Sequence, residues 1–324
     1  MISSRQRQYP AWILPVVRWT AAGLILGTLF HYLPLGPLRA AFARIPLSRF
    51  IAILIIYLSA HVLGIVKWRT VVNSAGARLD FATAAQCYAG GLFATLFLPS
   101  IVGGDLVRLA VGLRRSPSPA AVLAGNIADR FLDVAAQGAL VTLGLCLLSG
   151  SLPFQLRSPA VRVFSWVTAV VLFLLMLSVL LRRPLLRGRS FRARRYLARL
   201  RYALRSVSRR PHILLVGWLL GLGIQSVLLA LTALLASSCG LTLPLRVWLF
   251  AWPLAKLAAL IPLTQGGIGV REAALVALLV PFGASASLVL AVGLLWEGVI
   301  ISGGLIAGIA VFFLRRSEPV LHPV

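Results

Sequence analysis

Only seven acidic residues occur among the 324 of this chain. Six of them, Asp105, Asp129, Asp133, Glu272, Glu297 and the more peripheral Asp80, fall in or beside apolar segments or at glycine-rich breaks. A charge at the centre of a bilayer costs at least ~2.5–3.5 kcal/mol, so such carboxylates must pair with a cation or line a wet cavity, where they can hold a positive group or exchange a proton. Asn126, Asp129, Arg130, Asp133 and Gln137 lie at offsets of 3, 4, 7 and 11 from the first, which keeps most of them on one helix face. This polar stripe has two open readings: the wall of a substrate cavity, or internal neutralisation of Arg130 and Arg108.

A second constellation is written twice. Pro99-x-x-x-Gly103-Gly104-x-x-x-Arg108 recurs 163 residues on as Pro262-x-x-x-Gly266-Gly267-x-x-x-Arg271, with Gly269 inside the second copy. Glycines allow a sharp turn and close approach of a ligand. A helix start beyond them offers free N–H groups that favour an anion, and an arginine one turn in adds a fork suited to phosphate. The rival reading is close helix packing at Gly-Gly, with the arginine reaching back to the interface. Glu297 lies where the second half would carry its counterpart of the stripe. Pairing with Arg271 or Lys256 and carriage of a proton are its open roles. Lys256 has no counterpart in the first half and carries less weight, and His61 and Arg18 read as satisfied structural residues.

The elements that must position these residues are membrane helices. With 60% hydrophobic and 12% charged residues and a mean hydropathy of +0.94, the chain has too little polar surface for a water-soluble fold. A net charge of +25 would suggest nucleic acid in a soluble protein, but these arginines lie between apolar runs. They suit anionic lipid head groups and a cytoplasmic leaflet, and no nucleic acid is expected. Full spans are expected near 11–33, 50–66, 118–149, 160–181, 211–238 and 284–314. Stretches 81–98 and 246–262 run into the Pro/Gly phrases and then into short helices at 105–115 and 269–282. The fold class is therefore an all-α integral membrane protein of about six full spans plus two re-entrant helical hairpins. The arms of the first are unequal, about 27 Å against about 16 Å at 1.5 Å per residue.

Twelve arginines and no acid lie between Arg182 and Arg210, which makes this segment cytoplasmic. Counting outward from it puts both termini, the loop from Lys67 to Arg78, Arg114-Arg115 and Arg315-Arg316 on the same side. The first hairpin then opens from the cytoplasm and the second from outside. The chain is thus one multi-span domain over 1–324 with an inverted-topology repeat, 50–149 and 211–314, the usual trace of a transporter with its site between the breaks. Within the connecting segment, 182–210, apolar residues from Phe191 to Val207 recur at near-helical spacing, as in an amphipathic helix on an anionic leaflet. Cys87, Cys146 and Cys239 form no metal or disulfide pattern, and no Walker loop, G-x-S-x-G or H-E-x-x-H is present. No metal, cofactor or catalytic residue is expected.

The phrases LPSIVGGDLVR (98–108), NIADRFLD (126–133) and IPLTQGGIGVREAAL (261–275) resemble the lysylphosphatidylglycerol synthase transmembrane-region family, also called the flippase-like domain family, which includes the membrane half of the bacterial multiple peptide resistance factor. The likeness covers roughly 10–315. It implies movement of phospholipids across a bacterial cytoplasmic (inner) membrane, with aminoacylation residing in a separate soluble domain that this sequence lacks. Carried over by motif, the functional residues are Gly103, Gly104, Asp105, Arg108, Asp129, Arg130 and Asp133, then Gly266, Gly267, Gly269, Arg271 and Glu272.

The expected function is a lipid translocase in which Arg108 and Arg271 hold a lipid phosphate while the acids and Asn126 balance charge. Its partners would be membrane lipids with anionic head groups and, as a candidate, a lipid-synthesis enzyme; the oligomeric state is open. Two rivals stand beside it. One is a membrane enzyme using Asp129, Asp133 or Glu297 as general base; the other is a non-catalytic subunit of a lipid or glycolipid pathway.

Overall fold

A computed structural model describes residues 20, 43–98, 100–148, 150–154, 156, 191–260, 264 and 266–316. Pro99, Pro262, Arg18, the spans expected at 11–33 (apart from residue 20) and 160–181, residues 182–190 and both termini lie outside the described residues.

The described chain is all helical: α1 (Leu47–Ser74), α2 (Phe81–Ala94), α3 (Ser100–Arg115), α4 (Pro119–Leu148), α5 (Phe191–Ser208), α6 (Pro211–Ser238), α7 (Leu245–Ala258), α8 (Val270–Leu279), a 3-10 turn (Val280–Phe282) and α9 (Ala286–Arg316). Four of these, α1, α4, α6 and α9, are long and apolar enough to cross a membrane, with mean hydropathies of 1.9–2.2. The protein is a multi-pass membrane protein. Its outward faces carry large apolar side chains such as Ile55, Leu219, Ile309 and Phe313, as a lipid-facing surface requires.

Proline marks several starts, where its missing N–H costs nothing: Pro46 precedes α1, Pro119 and Pro211 open α4 and α6, and Pro244 precedes α7. The element order repeats. A span, a 14-residue helix, a second short helix and a span occur in each half, with lengths 28, 14, 16, 30 and then 28, 14, 10, 31.

The halves are interlocked. The first arm of each pair packs on the last span of the other half, α2 on α9 and α7 on α4, while α1 packs on α6. Small residues make these crossings close. Gly303, Gly304 and Gly308 of α9 face Tyr57, Leu96 and Phe93, and Gly144 of α4 faces the backbone at Leu249 and Phe250.

Two sequence expectations are corrected. The first pair of arms is nearly equal, because α3 starts at Ser100 and not at 105, giving about 21 Å for α2 and about 24 Å for α3 at 1.5 Å per residue. Gly103 and Gly104 therefore lie inside a helix. The basic helix α5 forms as expected, but the apolar face of its second half is not left for a leaflet. Ala203 and Val207 are buried in a core with Trp68, Val72, Ala75 and Ala121, and the Ser206 hydroxyl donates to the Ser74 carbonyl at 3.1 Å.

Candidate functional site

The charges expected to matter gather into two buried clusters, one per half. In the first, the stripe of α4 meets α1 and α3. Arg108 lies 3.0 Å from Asp105 and 3.5 Å from Asp129, and Arg130 lies 3.1 Å from Asp105, 3.4 Å from Asp129 and 3.1 Å from Asp133. Asn126 accepts from Trp68 Nε1 at 3.1 Å and from Arg108 at 3.3 Å. The Arg108 guanidinium also sits over the Trp68 and Tyr88 rings, 5.3 and 5.2 Å from their centroids, which suits its planar, weakly hydrated cation.

Lys67 completes this cluster, 2.8 Å from Asp129 and 2.5 Å from Asp133. Read from sequence, Lys67 opened a cytoplasmic loop; α1 instead runs on to Ser74 and buries it. No local sequence signal points to it, because its aspartates lie more than 60 positions further along the chain.

The second cluster is smaller. Arg271 lies 2.8 Å from Glu272 and 2.6 Å from Glu297. Glu272, fully buried, also accepts the Gly269 N–H at 2.7 Å and so caps α8 with its own carboxylate. The N-terminus expected to attract an external anion is already served from within.

The two glycine phrases differ in backbone. Gly266, Gly267 and Gly269 have φ of +61°, +82° and +85°, a turn that ordinary side chains resist. Gly104, by contrast, lets α3 press on α2: a Cβ there would meet the Gly91 carbonyl oxygen at 2.5 Å. Of the two readings of Gly-Gly, the first copy uses close packing and the second uses the turn. Neither arginine reaches back to the interface, Arg108 being 4% and Arg271 3% exposed.

The segment that follows α2 touches the one that precedes α8. The Gly266 N–H donates to the Leu98 carbonyl at 3.3 Å. A cavity of about 130 Å³ lies on the side of the first cluster, reaching Asp105, Arg108, Asp129, Arg130, Asp133 and Gln137. A second, of about 400 Å³ and mostly apolar, reaches Arg271 and Glu297 between Tyr57, Trp252 and Trp296. His61, Leu92, Thr95, Leu228 and Lys256 line both. The α4 stripe pairs internally, and its Asp129, Arg130, Asp133 and Gln137 also line a cavity.

Residues 16–308 match the family described as the lysylphosphatidylglycerol synthase TM region. The chain belongs to that family. No curated protein matches it significantly. Family membership, with four apolar spans, gives a membrane protein of lipid modification or transport.

Proposed function

We propose that this member of the lysylphosphatidylglycerol synthase TM region family is a lipid translocase. It would carry a phospholipid or lipid-linked head group between leaflets while the acyl chains stay in the bilayer. The observation that carries this reading is the pair of cavities sharing five wall residues, each with its own charge cluster. One cavity lined by many charged side chains and one larger, mostly apolar cavity, with five lining residues in common, suit a head group that changes sides.

In this reading the α2–α3 and α7–α8 pairs are re-entrant hairpins of an inverted-topology repeat, 50–149 and 211–314. Their ends meet at the Gly266–Leu98 hydrogen bond. The carboxylates of Asp105, Asp129, Asp133, Glu272 and Glu297 hold Arg108, Arg130 and Arg271 ready, to be released in turn as access alternates. The chain lies in a bacterial inner membrane with cytoplasmic termini. It does no bond chemistry itself, and its partners are anionic lipids and a lipid-synthesis enzyme that supplies the cargo.

The test is head-group movement in proteoliposomes, with labelled anionic, zwitterionic and polyprenyl-linked lipids. Protein-dependent movement of a chemically unchanged lipid is expected. A new lipid species would turn the reading to an enzyme, and no movement of any lipid by folded protein would remove it.

A further inference from the structure

The chain has 30 arginines and two lysines, Lys67 and Lys256. Both lysines line the cavities. Lys67 is locked between two aspartates. Lys256, in the last turn of α7, is bound differently. Its Nζ donates to the neutral amide oxygen Gln225 Oε1 at 2.8 Å, and among the described residues it forms no ion pair. Arg108, Arg130, Arg271 and Lys67 all have carboxylates within 4 Å. Lys256 is the cavity cation left with a neutral partner.

Its place is as telling as its partner. Lys256 lines both cavities, as does His61. The His61 Nδ1 lies 3.3 Å from the Tyr88 hydroxyl, and its buried Nε2 has no partner among the described residues. If Tyr88 donates to Nδ1, Nε2 carries the proton and becomes a second donor at the same wall. An ammonium is compact, rotates its three donors freely and sits on a flexible stem, so it can follow a ligand from one side of a wall to the other. Exchanging a neutral amide for an anionic oxygen turns this hydrogen bond into an ion pair without stripping a carboxylate of its cation.

We infer that Lys256, supported by His61, is a phosphate site at the wall between the two cavities, taking the phosphodiester of a lipid head group. This deepens the translocase reading and rests on it for the purpose of the site, but the site can be tested without transport.

Delipidated protein would be titrated with a short-chain phosphatidylglycerol, with the diacylglycerol of the same chains, and with free glycerol phosphate. Lys256→Met is expected to weaken phosphatidylglycerol at least about tenfold while leaving diacylglycerol unchanged, and Lys256→Arg to restore most of the loss. If Lys256→Met does not fold, Lys256→Gln, one atom shorter but with a polar, uncharged tip, carries the same expectation. Unchanged phosphatidylglycerol binding, or an equal loss for both lipids, would overturn the site. Free glycerol phosphate competing as strongly as the lipid would overturn its assignment to lipid. Wild-type protein that binds phosphatidylglycerol through Lys256 yet moves no head group in vesicles would keep the site and remove the translocase.

Discussion

The two halves carry the same phrase and use it differently. The first places Gly103-Gly104 within a helix and makes Arg108 part of a net of three cations and three carboxylates, in which Asp129 has Lys67, Arg108 and Arg130 within reach. The second places Gly266, Gly267 and Gly269 in a left-handed turn and leaves one arginine between two glutamates. Equal residues at equal spacing thus give one redundant site and one with no reserve. The difference teaches that the repeat conserves where charge is buried, not how it is held.

The largest effect should follow from removing the cation that has no substitute. Arg271→Ala leaves Glu272 and Glu297 buried with no contacting counter-charge, an arrangement that costs about 3–5 kcal/mol. Thermal unfolding in detergent should show this variant strongly destabilised or absent from the folded fraction. Adding Glu297→Gln should recover part of the loss by deleting one orphaned charge.

Arg108→Ala should cost less, on the order of 1–3 kcal/mol, because Asp105 keeps Arg130 and Asp129 keeps Lys67. Lys67→Met should fall in the same range, since Arg130 still reaches Asp133. An Arg108→Ala variant as damaged as Arg271→Ala would break the contrast between the halves.

The glycines offer a sharper cut. Gly104→Ala forces a Cβ onto the Gly91 carbonyl, where only movement of α2 against α3 can relieve it, for about 1–3 kcal/mol. Gly90, one residue from Gly91 on α2, has nothing within 4 Å of a Cβ, so Gly90→Ala should be neutral or gain up to about 1 kcal/mol. At Gly269 the obstacle is conformational, since φ +85° with ψ −44° lies outside the regions open to side-chain-bearing residues, so Ala and Asn alike should cost about 1–3 kcal/mol, whereas at Gly104 the smaller side chain should win. The order of Tm values across these variants reads out which mechanism acts at each tip.

Much of this was legible in the sequence. The four long spans followed from uninterrupted apolar runs, and the stripe from Asn126 to Gln137 followed from helix periodicity within one segment. Lys67 was not, because Lys67-Trp68-Arg69 at the end of an apolar run has the look of an interfacial anchor. Its aspartates lie more than 60 positions away, and only tertiary packing joins them. The glycine phrases could be located but not given a conformation, since a residue without a Cβ fits a helix crossing and a left-handed turn alike. The amphipathic α5 was found by its period, yet period alone cannot say whether protein or lipid covers an apolar face. The small Ala203 at its buried centre was the hint that a helix packs there.

The outer ends of the two hairpins extend the same contrast to its smallest measurable effect. Asp80 caps α2, its carboxylate accepting the Thr83 N–H at 3.2 Å, whereas Pro244 begins α7 with no side-chain cap. Asp80→Ala should therefore cost about 1 kcal/mol, read as a Tm shift, with nothing comparable available at residue 244. The hydrogen bond from Thr83 holds the Asp80 carboxyl below the usual carboxylate range. A group depressed in the folded state stabilises it fully above its unfolded pKa, and that share is lost as pH falls through the folded value. The Tm difference between wild type and Asp80→Ala should thus be constant near neutrality and shrink only in acid. A difference that persists undiminished at low pH would mean that Asp80 acts through packing and not through its charge.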